Sequence, residues 1–115
     1  MRFMVMVKGS EESESGDQPS KENFEAMIKF NERLAAEGRI VLAEGLTTSS
    51  EAVRVWFDGD AEPRVTDGPF AETKELVAGV WILNGESLQD VVELMLQCPN
   101  PENSGGVLEI RALDS

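Results

Sequence analysis

Asp67-Gly68-Pro69-Phe70-Ala71-Glu72-Thr73-Lys74-Glu75 packs a turn, an aromatic side chain, three carboxylates and an amine into nine consecutive residues. Gly68 supplies permissive backbone angles, while Pro69 fixes its own φ and drives its predecessor out of the helical region. The pair forces a tight change of direction and holds Asp67 at a corner. Phe70 reads as an apolar anchor pinning that corner to the body of the protein, so that Asp67, Glu72, Lys74 and Glu75 divide between solvent and a cleft. A short extended stretch over 64–66, introduced by Pro63, leads into the corner, and a strand over 76–83 leads out of it.

Further from the corner the periodicities are regular. Residues 2–8 read as a strand with Phe3, Val5 and Val7 on one side and Met4 and Met6 on the other. Segment 10–20 has the composition of a mobile acidic loop. A helix over 21–37 follows, capped by Ser20, with Phe24, Met27, Ile28, Leu34 and Ala35 as its apolar stripe and Gly38 closing it. Stretches 40–46 and 53–57, joined by Thr47-Thr48-Ser49-Ser50, read as a hairpin, after which Asp58-Gly59-Asp60 turns the chain. In strand 76–83, Val77, Trp81 and Leu83 oppose Ala78, Val80 and Ile82. A second helix begins at Ser87, buries Leu88, Val91, Val92, Met95 and Leu96, and ends before Pro99. After a loop over 100–106, strand 107–113 sets Val107, Glu109 and Arg111 against Leu108, Ile110 and Ala112.

The order βαββαβ predicts an α+β, ferredoxin-like fold, a four-stranded antiparallel sheet with both helices on one face. The other face then carries bulky side chains that a monomer rarely leaves in water, and a two-fold related copy is the simplest cover.

The string DGPFAETKE resembles the signature of the YCII-related proteins of the DGPF type. Glu44-Gly45-Leu46, Val53-Arg54-Val55 and Val65-Thr66 upstream, and Gly79-Val80-Trp81, the helix from Leu88 to Leu96, Cys98-Pro99 and Val107-Leu108-Glu109-Ile110-Arg111 downstream, follow the family's order. The resemblance covers nearly the whole chain. It implies a ferredoxin-like protomer pairing face to face into a dimeric α/β barrel. It implies little about chemistry, because the DGPF group has no generally established activity; some members are encoded beside extracytoplasmic-function sigma factors.

At 115 residues the chain is read as one domain, 1–115, able to bury roughly two thirds of its unfolded surface. The 22 acidic and 10 basic side chains give a formal charge of −12, which repels polyanions, and no basic cluster supports binding to nucleic acid or an anionic membrane. A lone cysteine, Cys98, fits a reducing compartment, and the short apolar run near Met1 fits a strand rather than a signal segment, so a cytoplasmic location is expected.

There is no histidine and no tyrosine, which excludes Ser-His-Asp and Cys-His catalysis and histidine-ligated zinc or haem. Some YCII-related proteins pair a histidine with an aspartate in the presumed active site, and that chemistry does not transfer to a chain without histidine. Asp67 reads either as a general base raised by desolvation or as a turn-holder accepting backbone N–H bonds. Lys74 reads as a group steadying anionic charge or as a solvated ion-pair partner. Glu44, Arg54, Phe70, Glu72 and Arg111 are the candidate ligand contacts. Trp56 and Trp81 fit core or dimer packing, and Cys98 a small buried side chain. No metal-binding spacing and no cofactor motif occurs. Two functions follow: cofactor-independent acid–base chemistry on a small organic molecule at the corner, with Asp67 and Lys74, or a non-catalytic metabolite-sensing or protein-interaction module tied to transcriptional regulation.

Overall fold

The structure is a computed structural model, and residues 1–16, 20–100 and 106–114 are described, together with the backbone but not the side chain of Lys74. Residues 17–19 and 101–105, within two of the expected loops, lie outside the described residues.

Strands β1 (Arg2–Lys8), β2 (Ile40–Gly45), β5 (Val77–Asn84) and β6 (Leu108–Ala112) form an antiparallel sheet in the order β2-β5-β1-β6. Helices α2 (Lys21–Ala36) and α3 (Leu88–Met95) complete the expected ferredoxin-like arrangement. Val5 lies opposite both Trp81 and Ile110, and Phe3 opposite Leu83 and Ala112, so one side-chain row runs across three strands. That row meets Phe30 and Leu34 of α2 and Val91, Leu94 and Met95 of α3, all buried. Phe30 and Trp81 pack edge to face at 6.4 Å. Burying each such side chain fully contributes about 1.5–3 kcal/mol.

Both helices are capped as their sequences require. Ser20 Oγ accepts from Asn23 N–H at 3.2 Å, and Ser87 Oγ accepts from Asp90 N–H at 3.1 Å. Their buried stripes are rotated from the expected ones. Phe30 replaces Phe24, Ile28 and Ala35 as the inward residue of α2, and Leu94 joins Val91 and Met95 while Leu88 and Leu96 stay exposed. In each case the winning residues are spaced three or four apart on a face that reaches the sheet.

Two expectations are corrected. Segment 10–20 is not all loop. Ser10 and Ser13 form a reciprocal capping box that starts α1 (Glu11–Ser15), and Gly16 ends it in the left-handed region. Nor do 40–46 and 53–57 form a hairpin together: β2 pairs with β5, whereas β3 (Val53–Trp56) pairs with β4 (Arg64–Asp67) in a separate two-stranded ribbon. The cause lies between them, where a 3-10 turn over Ser49–Glu51 holds Ser49 buried and redirects the chain away from the sheet.

Candidate functional site

The corner closes on Ser49. Its Oγ donates to Glu14 Oε1 of α1, its N–H donates to Glu14 Oε2 at 3.0 Å, and its Oγ accepts from Phe70 N–H at 3.0 Å. One serine thereby ties three segments distant in sequence. Gly68 N–H donates to Ala52 O at 2.8 Å, and its Cα lies so close to this turn that an added Cβ would stand 1.7 Å from Ser49 O. Gly68 is needed here for close approach of two backbones, and its peptide bond to Pro69 is cis.

Beside the corner lies a cavity of about 390 Å³, lined by Glu14, Ser49, Arg54, Phe70 and Glu75 among others. The Arg54 guanidinium stands 3.8 Å from the centre of the Phe70 ring, and its Nη2 is 3.7 Å from Glu75 Oε2. A cation held on an aromatic face keeps its outer N–H groups available for a planar anion, since guanidinium donors are arranged as a fork. Glu75 is mostly exposed and a loose partner at that distance, whereas both Glu14 oxygens already accept from Ser49. Among the described side chains of the lining, Arg54 is the cation this cavity offers to a ligand, with the carboxylates of Glu14 and Glu75 beside it.

A second cavity, of about 580 Å³, opens beneath the middle of α2 and is lined by Met27, Asn31, Ala43, Glu44, Gly79 and Trp81 among others. Small residues on β2 and β5 leave this space, because Ala43, Gly45 and Gly79 put little or nothing between sheet and helix. Asn31 Oδ1 accepts from Trp81 Nε1 at 2.9 Å, which satisfies the indole inside an apolar wall. Leu46 lines both cavities, so they meet just past the end of β2 as two lobes with mainly apolar walls, the corner lobe carrying Glu14, Arg54 and Glu75 and the helix lobe carrying Glu44.

The structure thus brings Arg54 and Phe70 together in the corner lobe and places Glu44 in the helix lobe. Asp67 is exposed at the end of β4, opposite Val53. Glu72 is exposed ahead of the turn Thr73–Glu75, where its side chain makes no capping bond, and the Lys74 side chain lies outside the described residues. Arg111 is on β6 with its Nε 2.7 Å from Glu109 Oε2, away from both lobes' linings. Glu14, Ser49 and Asn31 were missed by sequence reasoning. The Ser10–Ser13 spacing ahead of an acidic run was the one available signal for α1 and hence for Glu14.

Cys98 borders a third cavity, of about 310 Å³, which shares Val7, Met27 and Trp81 with the helix lobe. Burial pushes its thiol up to about 11, the setting of an unreactive side chain. Among the described residues no three or more His, Cys, Asp or Glu side chains gather as a metal site, and no helix is long and apolar enough to cross a membrane.

Among solved structures, the chain is similar to 5-chloro-2-hydroxyhydroquinone dehydrochlorinase (TftG) from Burkholderia phenoliruptrix AC1100, in complex with 2,5-dihydroxybenzoquinone. The identity is 15%, with a TM-score of 0.49 over 100% of this chain and 96% of that one. Among curated proteins it is 38% identical over 52 residues to the uncharacterized protein R00369 of Rhizobium meliloti (strain 1021), a match covering 45% of this chain and 42% of that protein. The chain therefore spans less than half the length of that relative in the match. The model of the YCII-related domain matches residues 1–114, and the chain belongs to that family.

Proposed function

We propose that this protein binds a small organic anion with an apolar body, its charged end against Arg54 in the corner lobe and its body under α2 beside Met27 and Trp81. The observation that carries this reading is the stacked and loosely paired Arg54 guanidinium at the mouth of a two-lobed cleft. Family membership supports the fold in which such a cleft arises, and the substrate is argued from the lining alone.

Two uses of the site follow. In one, Asp67 acts as general base with Lys74 or Arg54 steadying developing negative charge. In the other, the bound molecule is sensed without reaction. The exposed position of Asp67, outside the lining of either lobe, favours the second. The chain also pairs with a copy of itself through the sheet face away from the helices. Half-buried Met4, Met6, Val80 and Ile82 and the exposed Leu42 support that pairing.

A library of small aromatic and aliphatic carboxylates and phenolates, screened by amide chemical shifts, tests the binding site. Binders should move the Ser49, Arg54 and Phe70 amides and the Trp81 indole resonance, and Arg54→Met should weaken them by roughly tenfold. Binders that ignore Arg54→Met, or a library that yields none, would sink the reading. Asp67→Asn then separates the two uses, since a sensor retains its affinity and an acid–base enzyme loses turnover of the identified ligand.

A further inference from the structure

We infer that Asn31 donates a hydrogen bond to a carbonyl oxygen on the body of the bound molecule, which makes it a specificity-determining residue of the helix lobe. The inference rests on the reading of the cleft as a ligand site and adds the functional group that its ligand carries.

Chemistry fixes the orientation of the Asn31 amide. The indole N–H of Trp81 can only donate, so the group it meets at 2.9 Å is the amide oxygen. The amide nitrogen, with its two N–H donors, is then turned away from the indole. Trp81 is buried and braced edge to face against Phe30, so the bond that orients Asn31 is made to a firmly packed ring. Among the described residues no group accepts from Asn31 Nδ2. Asn31 is half-buried, and among the described residues every fully buried side-chain nitrogen and oxygen has a partner, so Nδ2 opens on space rather than into the packed core. That space is the helix lobe, whose lining holds both Asn31 and Trp81.

An acceptor alone satisfies Trp81. Asparagine supplies one and leaves two donors unused, in a helix interior where it is a weak helix former. Met27 lies four residues earlier on the same face of α2, and Val7, Ala43 and Gly79 stand near by without a side-chain oxygen. Of the lobe's described side chains only Asn31 has an N–H to give, since that of Trp81 is engaged and Glu44, as a carboxylate, only accepts. A ligand oxygen that only accepts, the carbonyl of a ketone or amide, completes this set. A methylene at the same point strips water from the amide and returns no bond. With Arg54 taking the anionic end, the ligand class becomes an oxo or amido acid with an apolar body.

Titrations followed by backbone and side-chain chemical shifts, on wild type, Asn31→Asp and Arg54→Met, test the inference. The probes are benzoylpropionate, benzoylbutyrate and benzoylvalerate, each beside the counterpart whose carbonyl is a methylene, together with the neutral pair indanone and indane. In wild type, indanone and at least one of the oxo acids should bind about fivefold more tightly than their partners. The same oxo probes should move the Asn31 Nδ2 protons downfield, as the methylene probes do not. Asn31→Asp keeps the acceptor for Trp81 and removes the donor, so the fold stays and the oxo preference goes. Arg54→Met should weaken both members of an acid pair alike and leave the preference standing. The two readings therefore fail separately: affinities indifferent to Arg54→Met beside an intact oxo preference would sink the anion site and uphold the role of Asn31. A wild type without an oxo preference, a preference that survives Asn31→Asp, or Nδ2 protons that ignore the oxo probes would overturn the inference, and this last readout decides even where Asn31→Asp does not fold.

Discussion

Replacing Gly68 by alanine forces a Cβ onto the carbonyl oxygen of Ser49, a backbone atom that cannot swing aside as a side chain would. The expected cost is about 3 kcal/mol, read from urea unfolding, and fold loss is the extreme of the same effect. Ser49→Ala removes the hydroxyl that joins Glu14 to the Phe70 N–H, so a loss of about 1–2 kcal/mol is expected, with faster amide exchange across α1. Cys98 gives a pH test. Its thiol ionises at about 11 when folded and nearer 9 when unfolded, so over that window the native state holds a proton that the unfolded state has released. Its contribution is fully present below pH 9 and is lost as pH rises towards 11. The thermal midpoint of wild type should therefore fall more over that window than that of Cys98→Ala, and alkylation by iodoacetamide should stay slow at pH 8. At this scale Phe70 was legible as a candidate because a turn beside an aromatic anchor is written locally, whereas Arg54 was legible only as a strand charge that reaches a cleft if its face turns inward. Ser49 was not, since nothing in Thr47-Thr48-Ser49-Ser50 marks which hydroxyl will be buried against a carboxylate 35 residues earlier.

Capping signals located both long helices, because caps and apolar periods act within a turn or two of the residues that carry them. Strand partners were harder. Two apolar stretches and a polar loop satisfy the local rules for a hairpin, yet β2 pairs with β5 because the buried Ser49 turn leads β3 away from the sheet. The joint between β5 and α3 depends on one carboxylate. Asp90 Oδ2 accepts from Arg39 Nη2 at 2.7 Å and from Glu86 N–H at 2.9 Å, while Arg39 Nε donates to Asn84 O at 2.8 Å. With both charged side chains less than a third exposed, Asp90→Ala should cost about 2 kcal/mol in chemical denaturation and loosen the Ser87 end of α3 in hydrogen exchange.

For the whole molecule, 22 acidic against 10 basic side chains mean that self-repulsion opposes the compact state. Raising salt from about 0.02 M to about 0.5 M shortens the screening length several-fold, so the thermal midpoint should rise, and a midpoint that falls with salt would show that ion pairs outweigh repulsion. The sequence by itself determined the α+β class, the two capped helices, the alternation of the sheet strands and the exclusion of histidine chemistry. Those properties are set by side-chain type and by periods of two and 3.6 residues, which need no knowledge of distant contacts. Only the tertiary structure decided that β3 and β4 leave the sheet, that Glu14 and Ser49 close the corner, that Arg54 lies on Phe70, and that a cleft opens under α2. Each of these depends on residues far apart in the chain meeting across a gap whose size is fixed by packing, and no local pattern carries that information.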